Sequence, residues 1–253
     1  MLSEGQTTTY LGRALRLDST DEAEIQNRIN MAWRRFLGMK QELCNRNFPL
    51  KQRLRLFGAT VSQTLLYGAG TWTMKEESAK TVRSAQRRML RSMMAVGRRK
   101  CQSGGRSSEA SNDQEEEDSE DEEETEQEEA EEEEEEEDEL EPWHDWVQRV
   151  TNMALKEMTA VGVEEWVEAV KGKRWTVAGH ISRRTDGRWS TAILDWRPAA
   201  GKRSVGQPAK RWSDDIEKSV SKIQGARPGD WRLLAEDRAE WKSMEEQFRK
   251  RGG

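Results

Sequence analysis

The chain has 253 residues, with 42 Lys and Arg against 48 Asp and Glu, for a formal charge of −6. Hydrophobic residues make up 34% and charged residues 36%, so the core is modest and the eleven Trp must supply much of its apolar area. No apolar run nears the roughly 20 residues of a membrane span, the N-terminus lacks a signal-peptide core, and Cys44 and Cys101 match no metal-ligand spacing. The expectation is a soluble intracellular protein, nuclear or cytoplasmic, with reduced thiols and no membrane contact.

The stretch from Thr9 to Leu17 reads as a short strand with Gly12 inside it. Ser19 and Glu22 form an S-x-x-E capping box with Asp21 in the same first turn. Ile25, Ile29, Ala32, Trp33, Phe36 and Leu37 then recur at helical spacing, which predicts a helix over Asp21–Leu43. A second helix starts at Pro49 and runs to about Tyr67 on Leu50, Leu54, Phe57, Val61, Leu65 and Leu66. The two glycines within Tyr67–Thr71 mark a turn or kink. A third helix covers Glu77–Val96, with Val82, Ala85, Met89, Met93 and Val96 inward and Lys80, Arg83, Arg87, Arg88 and Arg91 on its other faces.

Periodicity vanishes from Arg98 to Glu141. Between Glu109 and Glu141 lie 24 acids and no Lys or Arg, so the rest of the chain sets 24 acids against all 42 bases and carries +18. Like charges at every helical spacing disfavour a helix, and the expected state is a disordered acidic linker. Helical spacing returns with Trp146, Val147, Val150, Ala154, Leu155 and Met158. Shorter helical segments follow at Glu164–Lys171 and Trp175–Arg184, then an irregular basic loop over Gly187–Pro208. Arg211–Ile223 and Pro228–Arg249 read as two more helices. The expected fold is mainly α: two small helical domains separated by the acidic linker, with a short strand at the N-terminus. The divisions are a helical bundle over 1–97, the linker over 98–141 and a Trp-rich basic domain over 142–253.

Four segments stand out by their motifs and by their order along the chain. The first is Y-L-G-R-A-L at Tyr10–Leu15, followed by E-I-x-x-R-I at Glu24–Ile29. The others are L-L-Y-G-A-G-T-W at Leu65–Trp72, Q-R-R-M-L-R at Gln86–Arg91, and W-T-V-A-G-H-I at Trp175–Ile181 followed by G-K-R-S-V-G-Q-P-A-K-R-W-S-D-D-I at Gly201–Ile216. Together, in this order, they resemble the region after the palm in reverse transcriptases of LINE-like, non-LTR retrotransposons, and the resemblance implies a thumb-like module whose helices follow a template–primer backbone. It places the metal-binding aspartates of that family upstream of Y-L-G, so polymerase chemistry is not expected of these residues, and no cofactor or metal is. Asp214 and Asp215, about 200 residues beyond Y-L-G, read as helix-start residues capping backbone N–H groups.

Arg83, Arg87, Arg88, Arg91, Arg98, Arg99 and Lys100 form one basic group, and Lys202, Arg203, Lys210 and Arg211 a second. Such side chains neutralise phosphates and bind without sequence preference; the plainer reading is a solvated helix face. Trp212 reads as a core anchor one turn before Ile216, while Trp196 fits either a core or a base-stacking role. His144 and His180 lack partner ligands at metal spacing; His180 reads as a packed residue. The expected partner is RNA or an RNA–DNA hybrid. The alternatives are an interaction protein recruiting basic proteins through Glu109–Glu141, and a relic without function.

Overall fold

A computed structural model describes residues 8–10, 12–15, 21–100, 140–187, 189–195, 210–224 and 231–251. The described residues are mainly helical, in two helical parts on either side of 101–139. They form two compact units, one drawn from Met1–Ala95 with Val150–Gly253, the other from Val96–Arg149.

In the larger unit, β1 (Thr8–Tyr10) and β2 (Arg13–Leu15) make an antiparallel hairpin, Tyr10 opposite Arg13. Gly12 turns it with φ +76°, a left-handed conformation that costs glycine little. Helix α1 (Glu22–Gly38) buries Ile25, Ile29, Ala32 and Phe36, the stripe its spacing calls for. The expected helix to Leu43 is broken at Met39, and α2 (Lys40–Leu43) follows as a separate turn. Ser19 lies outside the described residues. Asp21 does not cap its own helix; its Oδ2 accepts the Thr73 N–H at 2.6 Å.

From Pro49 the chain stays helical through α3 (Leu50–Phe57), a π-helical turn at Gly58–Ser62 and α4 (Gln63–Leu65). A Cβ on Gly58 would stand 3.1 Å from Val163 Cγ2, so the glycine admits that side chain against the helix. A 3₁₀ turn at Ala69–Thr71 leads to α5 (Glu76–Met94). The buried Arg53 guanidinium donates to Leu43 O at 3.1 Å, Phe48 O at 3.0 Å and Met93 O at 2.7 Å. It thereby gathers carbonyls at the ends of α2 and α5 that have no intrahelical partner.

Beyond the acidic run, α6 (Trp143–Ala160) and α7 (Trp166–Ser182) follow. The expected break between Lys171 and Trp175 does not occur. Gly172 lies inside α7 because the Arg249 guanidinium presses on it, within 2.6 Å of where a Cβ would sit. Helix α7 belongs to two cores. Trp166, Val167 and Val170 join Ile29, Phe57, Val61, Val82, Met89, Ala154 and Met158 in the first. Trp175 and Ala178 join Ile216, Val220, Trp231, Trp241 and Phe248 in the second. The first core therefore draws on helices from both sides of the acidic run.

The expected irregular loop after Gly187 contains α8 (Trp189–Asp195); its continuation over 196–209 lies outside the described residues. After α9 (Asp214–Gln224), the single helix expected over Pro228–Arg249 is two, α10 (Trp231–Leu234) and α11 (Arg238–Arg251). Asp237 Oδ1 accepts the Ala239 and Glu240 N–H groups at 2.8 and 3.0 Å and starts α11 afresh. Those two bonds hold the Asp237 carboxyl below the usual carboxylate range. Among the described residues no helix is long and apolar enough to cross a membrane.

Candidate nucleic-acid interface

Helix α5 is amphipathic as its spacing predicts: Val82, Ala85, Met89, Leu90 and Met93 are buried, and its arginines lie along the remaining faces. Each also has a local partner. Arg83 stands 3.3 Å from Glu76 Oε1, and Arg87 3.3 Å from Glu165 Oε1. The Arg88 guanidinium lies over the Trp33 ring at 5.7 Å, and Arg91 donates to Thr151 Oγ1 at 2.8 Å. Burial pushes the Arg91 pKa down, and the charges of Arg88 and Arg87 push it further. The Arg91 guanidinium therefore feels the charge of both neighbours. Lys171 on α7, which sequence reasoning missed, extends the group: burial lowers its pKa first, and Arg83 adds to that. Arg83 is the one cation of the strip that acts on Lys171, and the carboxylates of Glu168, Asp215 and Glu76 oppose it.

Gln86, the first residue of Q-R-R-M-L-R, is buried. Its Oε1 accepts the Trp166 N–H at 2.9 Å and its Nε2 donates to Glu164 O at 3.2 Å, so it caps the start of α7. In the earlier motif, Arg28 pairs with Glu24 at 2.7 Å, both nearly fully buried, and reaches the Gly12 carbonyl. Its guanidinium also covers the Tyr67 ring at 4.5 Å.

The remaining motifs meet one another. At Gly68 the backbone takes φ +70°. Gly70 then lets α7 approach: a Cβ there would stand 2.7 Å from Val177 Cγ2 and 3.2 Å from the Lys173 carbonyl. Trp212 Nε1 donates to Gly70 O at 2.9 Å, and Lys210 Nζ donates to Met74 O at 2.8 Å. Asp215 Oδ2 takes Arg174 at 2.8 Å and its Oδ1 takes Lys210 at 2.6 Å. Asp214 Oδ2 accepts the Arg211 N–H at 2.7 Å. Both aspartates therefore have structural work at the start of α9, but Asp215 serves an ion pair rather than a helix cap. Trp212 packs against the second core, as expected of an anchor.

Over 235 residues this chain is 26% identical to a transposon-derived protein of Caenorhabditis elegans, covering 92% of this chain and 67% of that one. A transposon-related origin is supported. No family model matches the chain. No solved structure matches it either.

Not all expected site residues fall on one surface. Lys210 is committed to Asp215 and Met74, and the exposed Arg211 sits beside it. Lys202, Arg203 and Trp196 lie outside the described residues. His180 is exposed rather than packed: Gly179 takes the face against Trp241, and the next residue turns to solvent. Arg174 is buried and pairs with Asp215, although Lys171 and Lys173 beside it gave the sequence no means of singling it out.

In the smaller unit, Arg98, Arg99 and Lys100 line one side of a chain crossing. Lys100 and Leu140 form an antiparallel bridge, and the Glu141 N–H donates to Arg99 O at 2.8 Å. Arg98 Nε donates to Glu141 O at 2.6 Å. Arg149 grips the Glu141 carboxylate through Nε at 2.8 Å and Nη2 at 2.6 Å. That fork, with the Arg99 N–H, lowers the Glu141 pKa to about 2. The depressed value means the crossing gains from Glu141 above about pH 4.5 and loses that gain as pH falls toward about 2. Carboxyl-carbon NMR should show Glu141 still ionised at a pH where the polyglutamate carboxyls are half protonated. Co-titration of Glu141 with that run would refute the grip.

Proposed function

We propose that the chain is a non-catalytic nucleic-acid-binding module of transposon origin, akin to a reverse transcriptase thumb, that holds RNA or an RNA–DNA hybrid by its phosphates. The observation that carries this reading is the strip of Arg83, Arg87, Arg88 and Arg91 on α5, reinforced by Lys171. Its chemistry suits a polyanion of any sequence. The motifs shared with that polymerase region act as packing devices, as Gly70, Gln86 and Asp215 do. A second reading, recruitment of basic proteins through Glu109–Glu141, draws on the 24 acids of that run.

The test is fluorescence anisotropy with a labelled RNA–DNA hybrid between about 50 and 200 mM salt. Arg88→Ala is the cleanest variant, because the ring of Trp33 is its partner rather than a carboxylate. It should weaken binding to all sequences alike and reduce the slope of log K against log salt by about 1. No binding at low salt would overturn the reading, and an unchanged slope would remove α5 from it.

A further inference from the structure

We propose that Ser84, at the middle of α5, is the seat of a single phosphate group of a nucleic-acid backbone, with Lys80, Arg87 and Arg88 around it. The seat rests on the nucleic-acid reading above and names the point at which one phosphate docks. Lys80 and Ser84 stand outside the basic group expected from sequence.

On a helix, the side chains three and four positions away are a residue's surface neighbours. For Ser84 these are Lys80, Thr81, Arg87 and Arg88. Three of the four are cations. Lys80, Ser84 and Arg88 are exposed, and Arg87 is half-buried. Two nearby hydroxyls are already committed: Thr81 Oγ1 donates to Glu77 O at 3.0 Å, and Ser92 Oγ to Arg88 O at 3.1 Å. Ser84 Oγ and Lys80 Nζ have no partner among the described residues. Lys and Arg reach well past so short a side chain, so a phosphate can approach the helix at Ser84 with cations on either side. Arg88 is steadied there by the Trp33 ring at 5.7 Å, and a stacked guanidinium keeps its N–H edge for a phosphate. Arg87 gives only Nη2 to Glu165, at 3.3 Å.

Charge sets the sign of the ligand. The 24 acids of Glu109–Glu141 belong to the smaller unit, and in the larger unit, which holds α5, bases outnumber acids. The acids of α5 itself are Glu76 and Glu77, both in its first turn. Glu76 meets Arg83 at 3.3 Å. Glu77 lies about 10 Å from Ser84 along the axis, beyond the screening length of physiological salt. A hydroxyl donor set among cations matches the oxygens of a backbone phosphate.

The experiment titrates the full chain with a labelled RNA–DNA hybrid across salt, and follows its backbone amide shifts with inorganic pyrophosphate. Ser84→Ala should weaken hybrid binding about fivefold at every salt concentration without changing the slope of log K against log salt, because a hydroxyl releases no counterion. Lys80→Ala, by contrast, should lower that slope by about 1. Ser84→Asp should weaken binding more than about thirtyfold, since it sets like charges together. Ser92→Asp adds the same charge about 12 Å further along α5 and should cost about threefold or less. Pyrophosphate should move the Ser84 amide and its neighbours most. Equal losses in Ser84→Asp and Ser92→Asp would overturn the seat and leave a diffuse strip, as would Ser84→Ala binding like the intact protein. Pyrophosphate shifts centred elsewhere would overturn it as well. Shifts centred on Ser84 without hybrid binding at low salt would keep the phosphate seat and remove the nucleic-acid reading.

Discussion

Trp175→Ala is expected to destabilise the protein by about 4 kcal/mol, near the upper range for a buried aromatic. Trp175 is 1% exposed, and its ring lies 3.7 Å from that of Trp241 with 7° between planes. Each indole also donates to the other's backbone: Trp175 Nε1 to Trp241 O at 2.8 Å, and Trp241 Nε1 to Trp175 O at 3.0 Å. Removing one ring empties a large cavity against Phe248 and strands both a carbonyl and its partner's contact. Trp175→Phe keeps part of the volume but cannot donate, so it should cost roughly half as much. Urea unfolding curves of the two variants decide the matter. A loss under about 1.5 kcal/mol for Trp175→Ala would mean that α11 collapses into the space or contributes little.

Asp215→Asn should cost about 3 kcal/mol, and Asp214→Asn less than about 1. Arg174 is 1% exposed on its side chain, and Asp215 is the carboxylate that balances it. The neutral amide leaves that guanidinium buried beside Trp212 without its counter-charge. Asp214 only tightens a turn through the Arg211 N–H. Combining Asp215→Asn with Arg174→Met should recover much of the loss, since the charge and its counter-charge then leave together. Thermal unfolding of the three variants measures this coupling. Additive losses in the double variant would show that the two residues act separately. Adjacent aspartates invite a polymerase reading, but both oxygens of Asp215 are already occupied, by Arg174 and Lys210.

The helices with one apolar stripe and one charged face were legible before any coordinates. Helices α1 and α5 fall where Ile25 to Phe36 and Val82 to Met93 repeat, and α6 follows Val150, Ala154 and Met158. Helix α7 was misread as two pieces because it is buried nearly all round, by Trp166, Val167, Val170, Trp175 and Ala178, and so shows no stripe. Gly172 inside it answers the close approach of Arg249. The basic face of α5 was legible as charge, but its partners were not. Gln86 meets Trp166 across 80 residues of sequence and Arg91 meets Thr151 across 60. No local pattern encodes such pairings. Lys171 was invisible for the same reason, since its burial, and then its nearness to Arg83, come from other helices.

The bridge between Lys100 and Leu140 brings the two ends of 101–139 side by side. Lengthening or shortening the chain between two neighbouring points asks nothing of their positions. The entropy of closing such a loop grows only as the logarithm of its length, about 0.6 kcal/mol for each doubling. At this crossing the run can gain or lose residues at a small cost in closure entropy, so its length is decoupled from the bridge that its ends make.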